Sequence, residues 1–267
     1  MKNIELIESY LDELFPNPKC ELNYSNEYEL LINIMLSAQT TDKRVNIVTK
    51  ELYEKYNSLM SLSEADINDL KRIIHSLGNY NKKALYIKEI ATILVTKYNG
   101  IVPKNRQDLE SLPGIGRKTV NVFLSELNIE PQIAVDTHVH RVSKRLKLAT
   151  VNDDVLKTEM KLRKAFKKEN WNKRHLQLVL FGRYKCKAIK PDCENCKLKG
   201  ICKKWWGHMK LKEFLKNCRD YLKYREVEEQ KGNISRDVIN NYKNIDYLSN
   251  AGVKKLTMKS IYEKGAK

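Results

Sequence analysis

The chain has 267 residues, 42% of them hydrophobic, which is ample for one large domain or two small ones with a real core. Lysine and arginine number 50 against 33 aspartates and glutamates, a formal net charge of +17 with a pI near 9.5, and such an excess attracts a polyanion, with nucleic acid the natural partner. No apolar run approaches the roughly 20 residues that a membrane span needs, so a membrane protein is excluded and a soluble, intracellular chain with reduced thiols is expected.

In chain order, the opening MKNIELIESYLDELF carries Glu5, Glu8, Asp12 and Glu13 among its apolar residues, which makes it an amphipathic helix and neither a signal nor a transit peptide. Apolar residues then recur at spacings of three and four, predicting helices near 4–15, 28–36, 45–56, 66–77, 82–98, 118–128, 138–148, 155–168 and 174–184. Ser63-Glu64-Ala65-Asp66 reads as a capping box, and Gly78 and Gly100 sit where helices should stop. No run of alternating strands with hairpin turns is present, so the predicted fold class is all-α. The loop at 99–104 and the turn around Pro131 are the predicted places where one helical lobe gives way to another.

Between a short helix from Asp108 to Leu112 and the long one that follows lies Leu112-Pro113-Gly114-Ile115-Gly116-Arg117-Lys118-Thr119. Gly114 and Gly116 free the backbone to present consecutive N–H groups at the start of the second helix, where the positive end of the dipole adds to them, so the turn suits a phosphate. A plain helix–helix corner is the competing reading. Lys118, in the first turn and next to Arg117, would feel both the dipole and a like charge; each disfavours its protonated form, and a neutral amine is a nucleophile. Further on, Asp136 in Ala134-Val135-Asp136-Thr137-His138-Val139-His140 stands at the start of another helix, where a simple N-cap is the alternative role. His138 and His140 are two apart and do not share a helix face, which argues against a metal pair.

Cys186, Cys193, Cys196 and Cys202 have the spacing C-x6-C-x2-C-x5-C, laid out to wrap one metal centre. The loops between them are too polar to form a core of their own, so a metal would hold them. Spacing alone leaves zinc, iron with sulfur, and a disulfide pair open. Cys20 and Cys218 are isolated and read as ordinary reduced thiols.

Together, LLINIMLSAQTTD at 30–42, LPGIGRKT, AVDTHVHRV and the cysteine tail resemble the endonuclease III family of helix-hairpin-helix DNA glycosylases and abasic-site lyases, from about residue 1 to about 206. The resemblance implies two helical lobes with a DNA cleft between them: a helical barrel at 21–131, and a cluster domain from 1–20 plus 132–206. It also implies a structural four-iron four-sulfur cluster on Cys186, Cys193, Cys196 and Cys202. By the same resemblance Lys118 is the nucleophile that forms a Schiff base with the sugar, and Asp136 is the catalytic carboxylate. The expected partner is duplex DNA bearing damaged pyrimidines or abasic sites, bound by a monomer; a cytoplasmic, nucleoid location follows if the source is bacterial.

The expected DNA contacts are Gln39, which fills the gap left by the flipped nucleotide, Asn79, Leu112, Gly114, Gly116, Arg117, Lys187 and Lys190. Asn79 departs from the apolar wedge usual in the family, and a polar wedge unstacks bases less well. Competing readings are a mismatch-specific adenine glycosylase, which would carry a glutamate where this chain has Asn33, and a non-enzymatic iron-sulfur or zinc DNA-binding protein. Residues 207–267 form an extension of unassigned role with 14 lysines and arginines against 8 aspartates and glutamates; Leu211, Phe214, Leu215, Cys218 and Leu222 in it have helical spacing.

Overall fold

The structure, a computed structural model, describes residues 2–203; the expected extension and its helix at 211–222 lie outside them. Helices α1 (Lys2–Leu14), α2 (Glu27–Leu36), α3 (Asp42–Lys55), α4 (Leu59–Glu64), α5 (Ile67–Ile73) and α6 (Tyr80–Tyr98) come first. They are followed by α7 (Arg106–Glu110), α8 (Arg117–Glu126), α9 (Thr137–Arg145), α10 (Val155–Ala165) and α11 (Trp171–Leu180). A π turn, Phe181–Lys185, prolongs α11. No strand occurs among the described residues, in agreement with the all-α expectation.

Short polar side chains start most of these helices. Asn26, Thr41, Asn105, Asp136 and Asp154 each accept an N–H from three residues on, and Asp66 accepts two, from Asn68 and Asp69. The capping box is not at Ser63–Asp66: it is made by Ser58 and Ser61 at the head of α4, a six-residue helix absent from the predicted set. Ser63 lies inside that helix and donates to the Met60 carbonyl at 2.7 Å, while Asp66 caps α5 alone. Asn99 and Gly100 end α6 in left-handed conformations, with Gly100 N donating to Leu94 O at 2.8 Å.

One hydrophobic core gathers residues from Leu22 to Leu124, with α2 buried along nearly its whole length. Val102 belongs to it, as do Leu94 before it and Leu109 after it, so one core spans both sides of the largely exposed loop at 99–104, which is not a lobe boundary. Outside it, α1 packs on α11, tied by Arg174, which bonds Glu8 at 3.0 Å and Asp12 at 2.7 Å; that guanidinium holds the Asp12 carboxyl far below its usual range. Buried Glu159 on α10 joins the helix-hairpin-helix to the rest: Arg117, Arg163 and Asn121 converge on it at 2.7, 2.8 and 3.2 Å. The carboxylate is 3% exposed, and it is these two guanidinium groups and the Asn121 amide that make its burial tolerable.

Candidate active site

Pro113-Gly114 turns the chain from α7 into α8, with Ile115 N donating to Leu112 O at 3.1 Å. Gly114 has φ +73°, and a Cβ there would lie 2.5 Å from the Tyr86 ring, so both its backbone and its packing require glycine. No side chain caps α8; Gly116 stands at its N-cap, exposed, with open space where a Cβ would be. The first-turn N–H groups are thus available to an outside acceptor, and the dipole favours an anion there.

Two of the residues expected to touch DNA have other work. Leu112 is 3% exposed and belongs to the core, so its side chain anchors the turn and leaves only its backbone to meet a partner. Arg117 spends its guanidinium on Glu159, so what it offers an anion is its backbone N–H rather than a free charge.

Lys118, one residue into α8, lines a small cavity with Asp136 and His175, and Ser37, Asp42 and Arg183 also face it. Asp136 caps α9, its Oδ1 accepting from Val139 N at 2.7 Å, so the cap reading holds for one of its two oxygens. His175, on α11, is 4% exposed, and its Nδ1 is buried without a hydrogen-bond partner among the described residues. Burial pushes its imidazole down to about 4, with the Asp136 carboxylate pulling the other way and Lys118 adding to the fall. Sequence reasoning missed it. No local signal marked it: its helix carries Asn172, Lys173, Arg174 and Gln177 among the apolar residues, and Arg174 and Gln177 are buried beside it. Cys20 also lines the cavity; burial pushes its thiol up to about 12, which keeps it inert.

Gln39 and Asn79 are both exposed and both left-handed, at φ 57° and 58°. Asn33 is fully buried and engaged, accepting from Tyr53 at 2.7 Å and donating to Asn23 O at 2.7 Å, which leaves it no place in the cavity. Lys187 and Lys190 are exposed on the loop after Cys186. That loop is strapped to α9 by Arg145, which bonds the carbonyls of Cys186 at 3.0 Å and Lys187 at 2.7 Å and reaches Cys186 Sγ at 3.2 Å. Where α9 meets the π turn the backbones approach closely: a Cβ on Gly182 would lie 2.8 Å from that of His138.

Cys186, Cys193 and Cys196 are half-buried and Cys202 is buried. Burial raises the Cys196 thiol, and Cys186, Cys202 and Cys193 each add to the rise, so the four sulfurs share one neighbourhood. Among the described residues, however, no three His, Cys, Asp or Glu form a group that could hold a metal ion. The donor set, four thiols beside an arginine N–H, fits a thiolate-held centre.

Residues 32–168 match the HhH-GPD superfamily of base excision DNA repair proteins. Endonuclease III of Bacillus subtilis is 43% identical over 206 residues, covering 76% of this chain and 94% of that protein. Endonuclease III of Escherichia coli strain K12 is 42% identical over 201 residues, covering 75% and 94%. Among solved structures, a trapped endonuclease III–DNA covalent intermediate superposes with a TM-score of 0.73 at 44% identity, over 75% of this chain and 94% of that one. A non-covalent endonuclease III–DNA complex gives 0.75 at 43%, over 78% and 98%. The chain therefore belongs to the endonuclease III branch of the HhH-GPD superfamily, and is a base excision repair DNA glycosylase and abasic-site lyase.

Proposed function

We propose that the protein excises damaged pyrimidines from duplex DNA, with Lys118 as nucleophile and Asp136 as the supporting carboxylate. The observation that carries this reading is the cavity in which α8 presents Lys118, one residue past an uncapped helix start, opposite Asp136. The hairpin N–H groups of Gly114, Gly116, Arg117 and Lys118 take a phosphate, which sets the strand against the cavity mouth. The damaged nucleotide leaves the stack, at a cost of a few kcal/mol that is smaller for a badly paired base. The Lys118 amine bonds to the sugar C1′ as the glycosidic bond breaks and the base departs with its electron pair. Asp136, through the oxygen not used as a cap, stabilises the positive charge on the sugar and the Schiff base that follows. The Schiff base forms as the C1′–O4′ bond breaks and the sugar ring opens, a proton from the nitrogen passing to O4′ as it leaves; loss of a C2′ proton to solvent then expels the 3′ phosphate by β-elimination.

A four-iron four-sulfur cluster held by Cys186, Cys193, Cys196 and Cys202 fixes the loop that offers Lys187 and Lys190 to the backbone; its part is structural. The lobes are a barrel at 21–131 and a cluster domain of 1–20 with 132–206, of which 204–206 lie outside the described residues. The core confined to Leu22–Leu124 and the docking of α1 on α11 support that division. The protein acts as a monomer inside the cell, at the nucleoid if the source is bacterial. Gln39 fills the vacated space, and Asn79 in place of an apolar wedge favours lesions that already pair or stack poorly.

Incision of a duplex carrying one oxidised pyrimidine tests this. The wild type should cut 3′ to the lesion, leaving an unsaturated aldehyde. Asp136→Asn keeps a capping oxygen and should bind the duplex normally while losing about 100-fold or more in rate. Undamaged rate in that variant would leave Asp136 a helix cap and nothing more.

A further inference from the structure

Lys83, in the first turn of α6, is 5% exposed, and no carboxylate pairs with it among the described residues. Burying an ammonium without a counter-ion is unfavourable unless its donors are all satisfied. Here they are. Nζ donates to Leu36 O at 2.9 Å and Ala38 O at 2.8 Å, and its third acceptor is Thr40 Oγ1 at 3.3 Å. The first is a terminal carbonyl of α2, where the negative end of the helix dipole favours a cation. The others flank Gln39, whose left-handed backbone (φ 57°) is disfavoured for a residue with a Cβ and persists only where its surroundings enforce it.

The same residue also reaches the second turn. Lys83 N donates to Asn79 O at 3.1 Å, Asn79 is likewise left-handed, and a Cβ on the neighbouring Gly78 would lie 3.8 Å from Gln39 O. We propose that Lys83 is a positioning residue for nucleotide extrusion: it locks the Gln39 turn to the Asn79 turn, so that both side chains enter the duplex as one unit. This rests on the glycosylase–lyase reading above, in which those two side chains occupy the opened duplex. Neutralising or removing the ammonium releases three acceptors on one turn while leaving Lys118 and Asp136 untouched. Burial lowers the pKa of Lys83 below that of an ordinary lysine, in keeping with an ammonium held by neutral oxygens alone.

The test compares two DNAs. One is a duplex with an oxidised pyrimidine opposite 2-aminopurine, whose fluorescence reports unstacking; the other is a single strand with an abasic site, where nothing has to be extruded from a stack. Lys83→Met, similar in length and without donors, should cleave the duplex about 100-fold more slowly and lose the fluorescence rise. It should be trapped by borohydride on the single strand at the wild-type rate. Equal loss on both DNAs would reduce Lys83 to a folding role, and no loss on either would overturn the proposal. Should Lys83→Met fail to fold, Thr40→Val, which removes one of the three acceptors, should give a smaller loss on the duplex alone; wild-type rates on both DNAs would again overturn it. A wild type that traps neither DNA overturns the lyase reading and this inference together, whereas a wild type that traps both and a variant that matches it overturn the inference alone.

Discussion

With Oδ1 of Asp136 held by Val139 N at 2.7 Å, Oδ2 is the oxygen left to face positive charge in the cavity. Cap and catalyst are therefore compatible roles of one side chain, since a carboxylate has acceptor capacity for both. That Lys118 and Asp136 belong to one candidate site could be expected from the sequence because each sits in a patterned stretch at a helix start, and both line the same cavity. His175 could not be, because its significance comes from what α11 is packed against. The partner of Arg117 was not legible for a related reason: a basic residue beside a glycine turn suggests phosphate, and nothing local announces that Glu159, 42 residues away in the chain, pairs with it. The buried His175 makes a prediction of its own. Its pKa is about 4 in the fold against 6.5 for a free imidazole, with Asp136, Lys118 and Arg183 the charged groups acting on it. Between those values the unfolded chain binds the extra proton, so the contribution to stability is complete above about pH 6.5 and is lost as the pH falls toward 4, about 3 kcal/mol over the window. His175→Gln lacks this term. Denaturant midpoints measured from pH 7 to pH 4 should fall more steeply for the wild type than for the variant, and parallel curves would mean that the imidazole is not buried in its neutral form.

Long periodic helices such as α6 were legible as elements because their apolar stripe repeats over several turns, whereas α4 has six residues and no room for a period. Its only local signal, Ser58 three residues before Ser61, lacks the glutamate or glutamine that marks a capping box in a sequence. The end of α11 was blurred for a different reason. The helical pattern runs on through Phe181–Lys185, but the backbone loosens there into a π turn that delivers Cys186 to Arg145. The loop from 186 to 202 has Leu198 and Cys202 as its buried residues, with little other apolar content to hold it. Cys193→Ala should therefore bleach the visible absorption near ~400 nm expected of an iron-sulfur protein and lower DNA affinity about tenfold or more. The core around Leu30, Ile87 and Phe123 should keep its helical circular dichroism. A colourless variant with undiminished affinity would detach the cysteines from DNA binding.

At the scale of the whole chain, net charge of +17 pointed to a polyanion but could not say where it binds, because a uniform surplus of lysine looks the same whether spread or focused. The structure offers three features to such a partner: the uncapped start of α8, the exposed left-handed turns at Gln39 and Asn79, and the exposed loop bearing Lys187 and Lys190. Lys118 lies against the first of these, and the central claim is that its amine makes the covalent bond. Borohydride reduction during turnover on a duplex with one oxidised pyrimidine, followed by peptide mapping of the cross-linked protein, tests that claim most directly. The expected result is a stable adduct on Lys118 that disappears in Lys118→Gln, with duplex affinity retained because the hairpin amides remain. An adduct mapping to another residue, or strand cleavage undiminished in Lys118→Gln, would contradict it.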